Sequence, residues 1–161
     1  MTSSSASLVR LAVGAFLISL GAVLFPLASY LGRYDTIVAF HIVGYLLLVA
    51  GGLLVLTSSF LPAHGPFTGR RFAGVALVVI GTGMIMFNAY LVAEARVLLV
   101  LWLITSPIGP RFFTWGTRLY AGVDQPFLGR CGWLSWMAAW PLPLVLWVLL
   151  ASVFGINILS S

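Results

Sequence analysis

Residues 72–105 read FAGVALVVIGTGMIMFNAYLVAEARVLLVLWLIT. Continued as one helix, this stretch would extend about 50 Å, against roughly 30 Å for a bilayer's hydrocarbon core. It is apolar enough to enter a membrane and too long to cross one straight. It also carries Asn88, Tyr90, Glu94 and Arg96, residues that a purely lipid-solvated helix would avoid. The segment therefore reads as a membrane span that is either kinked or protrudes, and its excess length needs a cover.

The rest of the chain agrees with that environment. Of 161 residues, 61% are hydrophobic and only 7% charged, with a mean hydropathy of +1.13. So few charges cannot clothe a soluble domain of this size. The formal net charge of +5 comes from arginines that flank apolar runs, where they anchor to lipid headgroups; so few charges argue against a nucleic-acid partner. Cys131 is the only cysteine, so an intramolecular disulfide, a CxxC redox pair and a cysteine metal cluster are all excluded. The chain has no HExxH, P-loop or hydrolase nucleophile motif.

The expected fold is an all-α integral membrane protein, one domain over 1–161, with four transmembrane helices in an antiparallel bundle. The first helix is expected over 8–31. Its early part resembles a signal-peptide core, but the apolar run continues to spanning length. Pro26 should bend it near its end. Gly32-Arg33-Tyr34-Asp35 is a link short enough to make a hairpin with a second helix over 36–61, which Pro62 ends. Arg70 and Arg71 lead into the third helix, 72–105. The last is expected over 132–159, kinked at Pro141 and Pro143, which lack backbone donors. Between them, over 111–121, Phe112, Phe113, Gly116, Leu119 and Tyr120 share one helical face, with Arg111, Thr114, Thr117 and Arg118 on the other. That pattern predicts a short amphipathic helix in the membrane plane.

Small residues recur every seven positions: Gly14, Gly21 and Ala28, then Gly44, Gly51 and Ser58, then Gly74, Gly81, Asn88 and Ala95. A period of seven keeps one face of a helix on one partner, and small residues let backbones approach. Arg10, Gly14, Leu17, Gly21, Tyr30 and Leu31 also match Arg70, Gly74, Leu77, Gly81, Tyr90 and Leu91 at an offset of sixty, as a duplicated hairpin would. The expected second and fourth helices do not extend the match.

Four passes would gather Arg33, Asp35, His41, Glu94, Arg96, Arg111, Arg118 and Asp124 towards one side of the membrane. Arg10, His64, Arg70 and Arg71 would lie towards the other. Glu94 has Tyr90 one turn before it and Arg96 beside it, forming a paired polar cluster with Asn88 on the small-residue seam; the same residues could serve as a proton or ion site. His41 shares a face with Gly44, Tyr45 and Gly52. It reads first as a hydrogen-bonded packing histidine and second as an axial ligand of haem or chlorophyll. Trp133, Trp136, Trp140 and Trp147 fall on one helical face and, with Trp102, offer anchors for a partner.

These features support three functional expectations. The foremost is a non-catalytic, accessory multi-pass subunit of a larger membrane complex, with a respiratory or photosynthetic complex as the specific setting. Residues 97–104, VLLVLWLI, extend beyond Arg96 and ask for cover by another subunit. The alternatives are a small proton-coupled transporter using Glu94 and a membrane enzyme acting on lipid or quinone through His41 and Glu94. Membrane lipids and other membrane subunits, identical or different, are the expected partners. The expected location is a bacterial or archaeal plasma membrane, or an organellar inner membrane of mitochondrial type.

Overall fold

The computed structural model describes residues 3–32, 34–59, 68–94, 106–121, 126–139 and 141–155. These form helices α1 (Ser3–Leu31), α2 (Tyr34–Ser59), α3 (Gly69–Glu94), α4 (Ile108–Ala121), α5 (Pro126–Ala139) and α6 (Pro141–Val153), with no strand among the described residues. α1, α2 and α3 are each long and apolar enough to cross a membrane. Gly132–Ala139 and Pro141–Val153, bent by 42° at their junction, make a fourth crossing if they act as one broken span. The chain is thus marked as a multi-pass integral membrane protein.

The helix boundaries follow local chemistry. α1 runs unbroken through Pro26 and stops at Gly32, whose φ of 67° is left-handed and costs glycine little. α3 opens where the Thr68 carbonyl accepts the N–H groups of Arg71 and Phe72, at 2.9 and 3.1 Å. The break between α5 and α6 falls where Pro141 has no N–H to continue the ladder, in line with the expected proline kink. Residues 95–105 and 156–159, parts of the expected third and last spans, lie outside the described residues.

The first two helices form an antiparallel pair closed by glycine. A methyl placed on Gly14 would lie 2.8 Å from Gly51 O, and one on Gly51 would lie 2.7 Å from Gly14 O. A methyl on Gly21 would meet Gly44 O at 2.7 Å and Leu48 N at 2.9 Å. In lipid no hydrophobic drive presses helices together, so this closeness of backbones supplies the dispersion and Cα–H···O contacts that do.

α3 repeats the device with α4. A methyl on Gly74 would meet Gly116 O at 2.8 Å and Tyr120 N at 2.7 Å; one on Gly81 would collide with Phe113 N and lie 2.8 Å from Gly109 O. Adding sixty to each α1 number and sixty-five to each α2 number converts the first set of contacts into the second. Gly51 against Ile18 N becomes Gly116 against Val78 N, and Gly44 against Phe25 becomes Gly109 against Ile85. The second hairpin is therefore a structural repeat of the first, running in the same direction. The counterpart of α2 is α4, not the last helix.

This corrects the expected role of 111–121. The segment is helical and starts earlier, at Ile108, but it does not lie flat with its apolar face to lipid. It runs antiparallel along α3, burying Gly109, Pro110, Phe113, Gly116 and Thr117. Thr117, expected on the polar face, is fully buried because its hydroxyl donates to the Phe113 carbonyl at 2.8 Å. Because Tyr120 stands beside Gly74, the C-terminal end of α4 lies at the Arg70–Arg71 end of the bundle. Arg118 therefore belongs with those residues and not with Asp35.

α1 is the central helix. Its Leu11, Ala15, Ile18 and Phe25 join Val78, Ile85, Phe113, Ala138 and Ala139 in one core. Val23 and Leu27, further along α1, form a second core with Trp147. The α5–α6 pair thus follows α1 in the same direction.

Candidate functional site

The buried hydroxyls can be set aside first. Ser19, Thr82 and Thr117 each donate at 2.8 Å to the carbonyl four residues back in their own helix, and Ser58 and Ser135 donate three residues back at 2.6 and 2.9 Å. Groups spent on their own backbone have little capacity left for a ligand.

Near the Gly32 end of the bundle, Phe25 is ringed by His41 and Tyr45 from α2 and Tyr90 from α3. Ring-centre distances are 5.2, 4.8 and 5.4 Å, all edge-on. Phe25 is almost fully buried, and each contact has the geometry that the aromatic quadrupole favours. The His41 Nδ1–H donates to the Ile37 carbonyl at 2.8 Å, an acceptor that fixes the proton on Nδ1 and leaves Nε2 as the basic nitrogen of the neutral ring. The half-buried imidazole can therefore accept a proton, a hydrogen bond or an axial ligand bond at Nε2. Among the described residues no three His, Cys, Asp or Glu side chains gather as a metal site.

The structure thus brings two of the sequence candidates, His41 and Tyr90, onto one phenylalanine. Asn88 is buried and partnered on the seam, as a polar residue between membrane helices must be. Glu94 is the last residue of α3; its side chain, and all of Arg96, Trp102 and Trp140, lie outside the described residues. The tryptophans divide. Trp133 and Trp136 face outward, whereas Trp147 is 9% exposed and stacks obliquely on Tyr30 at 5.7 Å. The bend between α5 and α6 breaks the single face that an unbroken helix would have given them.

The structure holds a second locus that the sequence pattern alone does not mark. Between α4 and α5 lies a cleft of about 210 Å³ lined by Pro107, Pro110, Arg111, Thr114, Gly132 and Trp136. Arg111 falls between Gly109 and Phe113, the two residues that clasp Gly81, and Gly81 is midway along α3. Arg111 is therefore at the middle depth of a membrane-spanning helix, turned away from it and exposed. Among the described residues its side chain has no hydrogen bond or ion pair. The signal that could have found it was the spacing of Gly109 and Gly116, seven apart like the other glycine pairs.

No family model matches the chain, and comparison with curated proteins and with solved structures returns no match. The functional reading rests on the residues themselves.

Proposed function

We propose that this protein is a non-catalytic subunit of a larger membrane assembly, joined to its partner through the outward face of α4. One observation carries the reading. The repeat supplies an internal control, because the outward stripe Leu46, Ala50 and Leu53 on α2 occupies the same scaffold positions as Arg111, Trp115 and Arg118 on α4. All six residues are exposed. Leu-Ala-Leu is what lipid accepts. Of the α4 stripe, Arg111 is the costly residue against lipid, at roughly 2.5–3.5 kcal/mol for an arginine at mid-depth by insertion scales. Tryptophan and arginine are also the residues that dominate protein–protein hot spots. Trp136 on α5 lines the cleft beside Arg111.

The test is purification of the full chain from its native membrane in mild detergent, followed by mass measurement of the intact particle. The expected result is a particle holding this chain and different membrane subunits in fixed proportion. A monodisperse lone protomer, with its α4 face open to detergent, would refute the proposal.

A further inference from the structure

Arg111 sets the chemistry of the partner. Gly81, at its level, is about 18 Å along the axis from Gly69, and slightly more from Glu94, at 1.5 Å per residue. That is more than twice the reach of an extended arginine, so the guanidinium cannot snorkel to either headgroup layer. Nor can a second copy of this chain supply the counter-charge from its described carboxyl-bearing residues. Asp35 is in the first turn of α2 and Glu94 is the last residue of α3, so both stand at helix ends; Asp124 lies outside the described residues.

We infer that the Arg111 cleft receives a carboxylate carried at mid-membrane depth by a transmembrane helix of a different protein. The inference rests on the subunit reading above and goes further by naming the group that docks. The guanidinium is planar and presents a fork of donors, which a carboxylate meets with two parallel hydrogen bonds. The cleft has room for an Asp or Glu side chain beside Thr114 and Trp136. The Thr114 hydroxyl is turned back to the carbonyls of Pro110 and Arg111, at 2.9 and 3.0 Å, and so leaves Arg111 as the donor to the incoming group. Trp115, one turn from Arg111 on the same face, gives the partner helix an aromatic surface to pack against.

The experiment uses the full chain in liposomes, carrying a donor fluorophore. Leucine-rich membrane-spanning peptides with a single central Glu, Gln or Leu carry the acceptor. Energy transfer should report association of the Glu peptide roughly tenfold tighter than that of the Leu peptide, with Gln between, on the scale of polar contacts between model membrane helices. Arg111→Leu restores the residue type of Leu46 in the first hairpin; this variant should fold normally by circular dichroism and bring the three peptides level. Arg111→Glu should reverse the preference towards a Lys-centred peptide. The inference is overturned if the Glu and Leu peptides bind alike, or if the preference survives in Arg111→Leu. It is also overturned if oleate in the vesicles abolishes the preference, since the occupant would then be a lipid carboxylate. Failure here is separable from failure of the subunit reading: an assembly from native membranes that stays intact with Arg111→Leu would retain the subunit role and remove this contact.

Discussion

Replacing Gly51 by alanine tests the glycine hairpins most directly. The added methyl would lie 2.7 Å from Gly14 O and 2.8 Å from Ile18 N, both backbone atoms that no rotamer change can move. Restoring an ordinary contact requires the two helices to part by more than half an ångström, which also loosens the approach at Gly21 and Gly44. Overpacking of this kind costs about 1–3 kcal/mol. Against it stands the helix-forming advantage of alanine over glycine, about 0.5–1 kcal/mol. Gly83→Ala isolates that second term, because nothing lies within 4 Å of where its methyl would go. Gly51→Ala should therefore be less stable than Gly83→Ala by about 2 kcal/mol, some thirtyfold in the unfolding equilibrium.

The repeat makes the prediction stricter. Gly116→Ala meets Gly74 O and Val78 N at 2.7 Å, so its cost should fall in the same range as that of Gly51→Ala, about 1–3 kcal/mol. Gly44→Ala and Gly109→Ala, whose nearest contacts are 3.1 and 3.0 Å, should both be milder. The assay is equilibrium unfolding of the full chain by steric trapping in a single detergent. Gly51→Ala as stable as Gly83→Ala would refute the close packing of α1 on α2. A harmless Gly116→Ala beside a damaging Gly51→Ala would refute the equivalence of the hairpins.

Other features give independent checks. A methyl on Gly132 would lie 3.2 Å from the Thr114 methyl, so Thr114→Cys with Gly132→Cys, in a Cys131→Ser background, should form a disulfide on mild oxidation. Persistence of both thiols on alkylation and mass analysis would detach α4 from α5. Phe25→Ala should lose about 3–5 kcal/mol and Phe25→Leu less than about 1.5 kcal/mol, as for a filled core site. A loss under 1 kcal/mol in the alanine variant would mean that His41, Tyr45 and Tyr90 do not pack on that ring. Nitrogen-15 NMR of histidine-labelled protein should show the neutral His41 ring protonated at Nδ1. A ring protonated at Nε2 would remove the bond to Ile37.

Much of this was legible in the sequence. α1 and α2 follow from unbroken apolar runs, a glycine stop and a short link, and the seven-residue spacing on α1, α2 and α3 correctly marks the faces that meet. α4 departs from the sequence expectation for three physical reasons. Pro107 and Pro110 look like loop residues, yet proline is tolerated at the start of a helix, where the backbone donors have no partner to lose. Thr117 looks like an outward polar residue, but a threonine in a helix can satisfy itself on the preceding turn. A helical wheel sorts residues by face without saying whether a neighbour or lipid lies beyond. An offset of sixty finds no counterpart for α2 in the last helix, whereas an offset of sixty-five leads from Gly44 and Gly51 to Gly109 and Gly116.

That reassignment also turns the charge balance of the bundle around. With 111–121 lying flat in the membrane plane on the Asp35 side, Arg111 and Arg118 count towards the Arg33 side. With α4 running back along α3, Arg118 joins Arg10, Arg70 and Arg71 at the opposite end, and α5, with Arg130 in its first turns, sets out from there. Arg111, at mid-depth, counts towards neither. Short arginine-bearing ends resist translocation, so the end holding the N-terminus of α1 should face the side from which the chain was inserted. An epitope appended before Met1 should therefore be hidden from impermeant probes in intact cells, and a maleimide should label Asp35→Cys from outside in a Cys131→Ser background. Labelling with the opposite sidedness would place five arginines, Arg10, Arg70, Arg71, Arg118 and Arg130, on the translocated side. The hairpin register, or the rule itself, would then fail for this protein.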